Sequence, residues 1–302
     1  MRDICILEFP SNLGLYEPTP GQEPGVKKLP AWLQEQGFYN LLKPVKVYTL
    51  SPPPYSIHLD KTSGVRNADA IAQYAREQAD LVVKALSTPC FPVVIGGDCS
   101  ILIGNTLALK KIGHYGLFFL DGHTDFVWPA LSQTGGAAGM DLAIVTGHGH
   151  EKLTDIDGLK PYITEEHVWC VGNREYDDAY VKAVRDSRVH YTSLDALRQE
   201  GMAGCTAHFL KMLTEKGLDG FWIHIDVDVL NDNLMPAVDS RQADGLTYAE
   251  FGEILRSLLS DARATGLEIT ILDPDLDPDG RYTAAFVRNF WEVLNGGNPL
   301  PG

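Results

Sequence analysis

Two stretches of this chain join an apolar run to three ionisable residues at alternating positions, a pattern few folds can bury. Residues 118–125 read F-F-L-D-G-H-T-D, so Asp121, His123 and Asp125 follow an apolar run at 117–120. Residues 221–230 read F-W-I-H-I-D-V-D-V-L, with His224, Asp226 and Asp228 alternating against Ile223, Ile225, Val227 and Val229. A short apolar run ending in polar residues reads as a buried parallel strand reaching its carboxyl edge. If the strand geometry continues, alternation by two puts each set of three on one face. An unpaired carboxylate buried there would cost several kcal/mol or take up a proton. Carboxylate and imidazole donors converging at a strand end suit a borderline divalent cation. The competing readings are a polar loop in which Asp121 caps a helix, and an edge strand with a solvated acidic face. Two stretches of one form favour the metal.

With 302 residues the chain can bury a large core. Its 40 acidic residues against 25 basic ones leave a net charge of −15. That balance argues against nucleic acid and against an anionic membrane surface as partners, because both need a basic face. No run approaches the roughly 20 apolar residues that span a bilayer, and Met1-Arg-Asp-Ile-Cys is unlike a signal peptide. Cys5, Cys90, Cys99, Cys170 and Cys205 are widely spaced with no C-x-x-C pair. Such usage suits reduced thiols in a cytoplasmic protein, and a small molecule is the expected substrate.

The spacing predicts strands at 4–9, 45–50, 91–95, 117–120, 168–171, 188–191, 221–229 and 268–272. Helices are expected at 29–36, 67–86, 100–111, 178–185, 194–198, 205–216, 248–259 and 284–294. Strands alternating with helices imply an α/β fold, a single domain over residues 1–302 with three α/β/α layers and a mainly parallel central sheet. Ligands of such sheets bind outside the carboxyl ends of the strands. A third motif falls at one such end, G-G-D-C-S at residues 96–100. Its glycines allow a tight turn, and Asp98 or Ser100 can cap the helix that follows. Cys99 then sits at the positive helix end, which favours thiolate. It reads as a buried small residue, a metal ligand or a nucleophile.

Taken together, G-G-D-C-S at 96–100, D-G-H-T-D at 121–125 and H-I-D-V-D at 224–228 resemble the motifs of the arginase/agmatinase/formiminoglutamase ureohydrolases. Met235-Pro236, Gly245-Leu246-Thr247 with Glu250, and Asp277-Pro278-Asp279-Gly280 continue the likeness in the family's order. The resemblance implies an arginase-like fold and two divalent cations, Mn²⁺ in most members, sharing a bridging hydroxide. It implies Asp121 and Asp226 as bridging carboxylates, His123 and Asp228 as ligands of one metal, and Asp125 and Cys99 as ligands of the other. It also gives Asp125 the orientation of the hydroxide that attacks the C–N carbon, and implies a homo-oligomer, a trimer or a hexamer.

The chain departs from that pattern in places that bear on chemistry. Cys99 stands for a histidine, and a thiolate there would move the preference from Mn²⁺ towards Zn²⁺ or Fe²⁺. Ala138 stands for a histidine that shuttles protons, while Gly136 and Val127 stand for asparagines that contact substrate. Ile271 replaces the glutamate that grips a guanidinium, removing a charge-assisted pair. Arginase or agmatinase activity in its usual form is therefore not expected. His224 replaces a serine and reads as a general acid, a ligand or a hydrogen-bond partner of a carboxylate. His148 and His150 read as loop residues near the mouth, Arg174 as a carboxylate binder or a surface pair, and Asp273 as the one acid of its run near the pocket.

The reading that follows is a metal-dependent hydrolase of C–N bonds acting on an uncharged or differently shaped amidine, amide or guanidino compound. Asp125 and His224 are its catalytic candidates. The alternatives are a non-catalytic relative that binds a ligand or partner, and a single-metal, deacylase-like hydrolase using His123, Asp226 and Asp228. Asp226→Ala should remove metal from both positions, because a bridging carboxylate serves both. Elemental analysis per chain checks this, and full metal occupancy in the variant would exclude the binuclear assignment.

Overall fold

The computed structural model describes residues 2–296. In chain order the strands are β1 (Ile4–Phe9), β2 (Lys46–Thr49), β3 (Phe91–Gly96), β4 (Tyr115–Leu120), β5 (Val168–Val171), β6 (His190–Thr192), β7 (Gly220–Asp226) and β8 (Ala264–Thr270). They form one sheet in the order β2-β1-β3-β8-β7-β4-β5-β6, and every neighbouring pair is parallel. The helices are α1 (Leu29–Glu35), α2 (Phe38–Leu42), α3 (Ala68–Leu86), α4 (Ile101–Ile112), α5 (Asp141–Val145), α6 (Glu151–Thr154), α7 (Asp178–Arg185), α8 (Leu194–Glu200), α9 (Met202–Lys216), α10 (Tyr248–Ser260) and α11 (Arg281–Leu294). The short helices α2, α5 and α6 lie where the periodic pattern is too brief to register.

Period-two alternation sorts the sheet's side chains into two cores. Ile4, Val93, Phe118, Phe221, Ile223 and Leu267 pack with α1, α2, α9, α10 and α11 on one side. Leu7, Val94, Phe119 and Trp222 pack with α3, α4, α5 and α7 on the other. Burying both faces explains the near-continuous apolar runs of β3, β4 and β7. Phe118, Phe119, Phe209, Phe221 and Trp222 are fully buried, and each contributes on the order of 2–3 kcal/mol relative to exposure. At the start of α10, the Thr247 hydroxyl accepts from Glu250 N while the Glu250 carboxylate accepts from Thr247 N. This capping box starts the helix where the sequence places it.

Strand geometry stops sooner than the alternation predicts. β7 ends at Asp226, and residues Val227–Val229 form a 3₁₀ turn. β4 ends at Leu120, and Asp125 lies at φ 43°. Neither acidic triplet is therefore held by an extended strand. Turns at the sheet edge set the directions of Asp228, His123 and Asp125, while Asp226 and His224 stay on β7 and keep their alternation.

The central four strands, β3, β8, β7 and β4, bring their carboxyl ends side by side. One close approach fixes the first of these ends. Ser11, after β1, accepts from Asp98 N through its carbonyl at 3.1 Å and donates its hydroxyl to the Asp98 carboxylate at 2.8 Å. A Cβ on Gly97 would lie 1.7 Å from the Ser11 carbonyl oxygen, so only glycine lets the two turns meet. Gly97→Ala should destabilise the fold by about 3 kcal/mol, the upper part of the overpacking range. Urea denaturation measures it, and a change below about 0.5 kcal/mol would mean that the two turns separate freely.

Candidate metal centre

Each of the four central strand ends delivers one part of a buried polar cluster. Beyond β3, the Asp98 carboxylate accepts from Ser100 N at 2.8 Å, and Cys99 points into the cluster from just before α4. Cys99 Sγ donates to Asp226 Oδ2 at 3.1 Å and lies 3.1 Å from the Thr270 hydroxyl at the end of β8. Beyond β4, Asp121 Oδ1 accepts from His123 N at 2.6 Å, so the chain folds back on itself. Gly122 N donates to Asp228 Oδ1 at 2.9 Å. A Cβ on Gly122 would come within 2.6 Å of that same oxygen, which is why a glycine separates the aspartate from the histidine. His123 Nδ1 sits 2.8 Å from Asp228 Oδ2, and Asp226 Oδ1 accepts from Asp228 N at 2.8 Å.

Two groups of donors result. Asp121, His123 and Asp228 place one ligand atom each within 4.8 Å of one another, and so do Cys99, Asp121 and His224. Asp121 belongs to both. Its Oδ1 lies 3.8 Å from His123 Nδ1 and its Oδ2 lies 3.9 Å from His224 Nε2. A single carboxylate thus faces two sites with its two oxygens. Asp125 and Asp226 flank the groups and line the cavity above them.

The electrostatics of this cluster are unbalanced. Burial, and then the charges of Asp125 and Asp228, push the Asp121 carboxyl well above the usual carboxylate range. Burial also raises Asp125, Asp141 and Asp226, followed in each case by neighbouring carboxylates. Burial pushes the His123 imidazole down, but the Asp228 charge and hydrogen bond, and then the Asp121 charge, outweigh it and lift the group to about 9. Asp228, despite its burial, is held below the carboxylate range by His123 and by Gly122 N. Cys99 differs from the helix-end expectation. Burial, and then the charges of Asp226, Asp141 and Asp121, drive its thiol well above the ordinary value and together outweigh the helix end.

So many close carboxylates cannot ionise together in an apolar surround without added positive charge. Two further observations fit a cation. His224 Nε2 and Asp121 Oδ2 are both buried without a hydrogen-bond partner, against the rule that buried polar atoms are paired. The donors also match first-row metals: oxygen and nitrogen at one group, sulfur, oxygen and nitrogen at the other. The residues present therefore fit divalent cations.

Above the groups lies a cavity of about 230 Å³. Its floor includes Cys99, His123, Asp125, Asp226 and Asp228, and its walls include Glu175, Tyr176, Asp177, Tyr180, Asp239 and Ile271. Ile271 adopts φ 74°, a backbone region that β-branched residues rarely occupy and that concentrates at functional sites.

Several sequence expectations change here. His224 is fully buried and lies behind the cavity floor instead of lining it, so it cannot meet a leaving group as a general acid. Arg174 donates through Nε and Nη2 to the carbonyls of Ala243, Asp228 and Gln242 and so braces the Asp228 turn from behind. His148 pairs with Glu165 at 2.5 Å, and His150 accepts from Lys152 N as the cap of α6. Asp273 accepts from Gly25 N and Asp275 N away from the cavity. Conversely, Glu268, Asp141, Glu175 and Asp239 were not singled out. Glu268 had a legible signal, an ionisable residue inside the apolar run L-E-I-T-I of residues 267–271.

The arginase family matches residues 2–294 of this chain. The chain is 32% identical over 235 residues to an arginase of Bacillus caldovelox, spanning 76% of this chain and 77% of that protein. The structure of the Bacillus caldovelox arginase superposes with a TM-score of 0.86 at 28% identity over the whole of both chains. The formimidoylglutamase of Bacillus subtilis superposes with a TM-score of 0.72 at 19% identity, over 98% of this chain and 87% of that one, a likeness of fold alone.

If the carboxylates await cations, a divalent metal should stabilise the folded chain. At a concentration about 100 times its Kd, the gain should be about 3 kcal/mol, read as a higher Tm that a chelator reverses. An unchanged Tm with Mn²⁺, Zn²⁺ and Fe²⁺ alike would contradict the cation reading.

Proposed function

The chain belongs to the arginase family, metal-dependent hydrolases of C–N bonds, and on that footing we propose how its own residues run the reaction. The observation that carries the proposal is Asp121, one buried carboxylate with an oxygen turned to each of two donor groups. This supports a binuclear centre held by Cys99, Asp121, His123, Asp125, Asp226 and Asp228, with Asp121 and Asp226 shared. Manganese follows from the family, whereas the Cys99 sulfur favours Zn²⁺ or Fe²⁺. Bound there, two cations would act as Lewis acids and ionise a water near neutral pH.

The chain's residues then have separate tasks. Asp125 lines the cavity beside the floor and accepts a hydrogen bond from the attacking water, orienting it towards the C–N carbon. His123 and Asp228 turn donor atoms 2.8 Å apart to one group, and as ligands neither is free to exchange protons with substrate. Asp239 stands on the exposed rim of the cavity wall, where it can protonate the departing amine.

The walls narrow the substrate class. Glu175, Asp177 and Asp239 line the cavity, and no lysine or arginine is among the lining residues described. An acidic, water-restricted wall favours a cation, so a small cationic amidine or guanidine suits the site better than an uncharged compound. Ile271 presents an apolar face where a carboxylate would grip a guanidinium from the β8 side. The acids stand on other walls, and the cation must therefore lie differently. A single-metal variant has one observation in its favour, the Cys99 thiol's hydrogen bond to Asp226, and the metal count distinguishes the two.

Five free cysteines, four of them buried, support a reducing cytoplasmic setting. No helix among the described residues is long and apolar enough to cross a membrane. A homo-oligomer, trimer or hexamer, is proposed by family likeness.

Turnover on a panel of guanidines, formimino compounds and acylated amines tests the reading. Hydrolysis should be fastest on cationic amidines or guanidines, vanish on chelation and return with added metal. A metal-loaded chain that hydrolyses nothing on the panel would favour a binding protein instead.

A further inference from the structure

We propose that His224 is itself a metal ligand, completing with Cys99 and Asp121 a sulfur–oxygen–nitrogen site, and that Glu268 is the positioning residue that aims it. The proposal rests on the binuclear reading above and assigns the donors of its second position.

His224 and Glu268 are neighbours across β7 and β8 in register, and both are fully buried. The side chains face the core under α4, where His224 Nδ1 lies 2.5 Å from Glu268 Oε1. The other carboxylate oxygen of Glu268 accepts from Asn105 on α4 and from Trp222 Nε1. Both oxygens are thus engaged, so the carboxylate cannot swing. The His224 ring also stacks flat on Phe119, with centroids 4.4 Å apart and planes within 5°. These constraints fix the direction of the remaining nitrogen. Nε2 points to Asp121 Oδ2, 3.9 Å away, with Cys99 in the same group.

That separation is too long for a hydrogen bond, and both atoms lack a partner. It is within a few tenths of an ångström of the separation of two ligands of one cation. Metal–donor bonds of about 2.0–2.3 Å in a tetrahedral shell place donors about 3.3–3.8 Å apart. A histidine that gives one ring N–H to a carboxylate presents the lone pair of its other nitrogen, the arrangement usual for metal-bound imidazole. On binding, the proton that Cys99 Sγ shares with Asp226 passes to solvent, leaving thiolate to the metal. The two positions then differ in kind. Asp121, His123 and Asp228 offer oxygen and nitrogen only, whereas Cys99, Asp121 and His224 include sulfur and suit Zn²⁺, Fe²⁺ or Co²⁺ better than Mn²⁺.

The test uses the full chain loaded with Zn²⁺ or Co²⁺ and reads binding, not turnover. X-ray absorption of the zinc form should show one sulfur at about 2.3 Å beside nitrogen and oxygen at about 2.0–2.1 Å. Cobalt should give a sulfur charge-transfer band for one of two bound equivalents. His224→Ala should lose that equivalent and its band and keep the other. Glu268→Gln, which retains the shape, should weaken the sulfur-bearing position by about 10–100-fold and leave the other unchanged. If the variant fails to fold, the unmodified chain loaded with two zinc ions still decides: imidazole scattering should count two histidines, His123 and His224, and a count of one would overturn the proposal. Two equivalents with wild-type affinity and an unaltered sulfur band in a folded His224→Ala protein would overturn the proposal. Metal at the oxygen–nitrogen position alone, with no sulfur contact, would overturn it while leaving a single-metal hydrolase. No uptake at either position would overturn both this assignment and the hydrolase reading beneath it.

Discussion

Concentrated negative charge in an apolar setting is the constraint on which this structure turns. Asp121, Asp226 and Asp228 are buried where β4 and β7 end, and Asp125 and Asp141 crowd them. Protein interiors repel one such charge and repel several far more strongly. The closest pairing is between His123 and Asp228 at 2.8 Å, while Asp121 lies 3.8 Å from His123 and 3.9 Å from His224. The sheet core, the glycine turns and the brace from Arg174 hold the carboxylates in place against their own repulsion. A cation converts that repulsion into binding energy, which makes the strain useful instead of merely costly.

The scaffold carries this load in two layers. Donor atoms stand on turns at the strand ends, where a backbone that has left the sheet can aim each side chain separately. Behind them, β7, β8 and α4 bury a second polar layer of Trp222, His224, Glu268 and Asn105, joined by hydrogen bonds. Such a network inside the core is stable only when its members are satisfied. Here two atoms lack a partner, Asn105 Oδ1 and His224 Nε2, and it is His224 Nε2 that faces the donor groups. The cavity follows the same logic: acids on the walls and carboxylates on the floor draw cations, while Ile271 and Ala138 remove polar grips from two sides.

Much was legible from residue order. The alternation in F-W-I-H-I-D and the apolar run before Asp121 marked β7 and β4, and their shared ending in acids marked the sheet edge where a metal would bind. Periodicity found the long helices, because an amphipathic face repeats over many turns. It missed α2, α5 and α6, which are too short to repeat. Alternation also ran too far. It carried Asp228 along a strand that ends at Asp226, since a 3₁₀ turn and a strand both allow polar residues at every second position.

The sequence by itself determined the parallel α/β architecture and most of the donor atoms, because both follow from local pattern: apolar runs, glycine turns and acids at the ends of strands. Tertiary structure decided which donors come together. Cys99 comes from the end of β3, Asp121 from the end of β4 and His224 from within β7, segments more than 100 residues apart at the extremes. Only the strand order β3-β8-β7-β4 makes them neighbours. The same order placed Glu268 beside His224 and turned a presumed proton donor into a buried, aimed imidazole. It also buried the Cys99 thiol among carboxylates, and together these overrule its helix end. Proximity in space, and the fields it brings, are not written in local spacing.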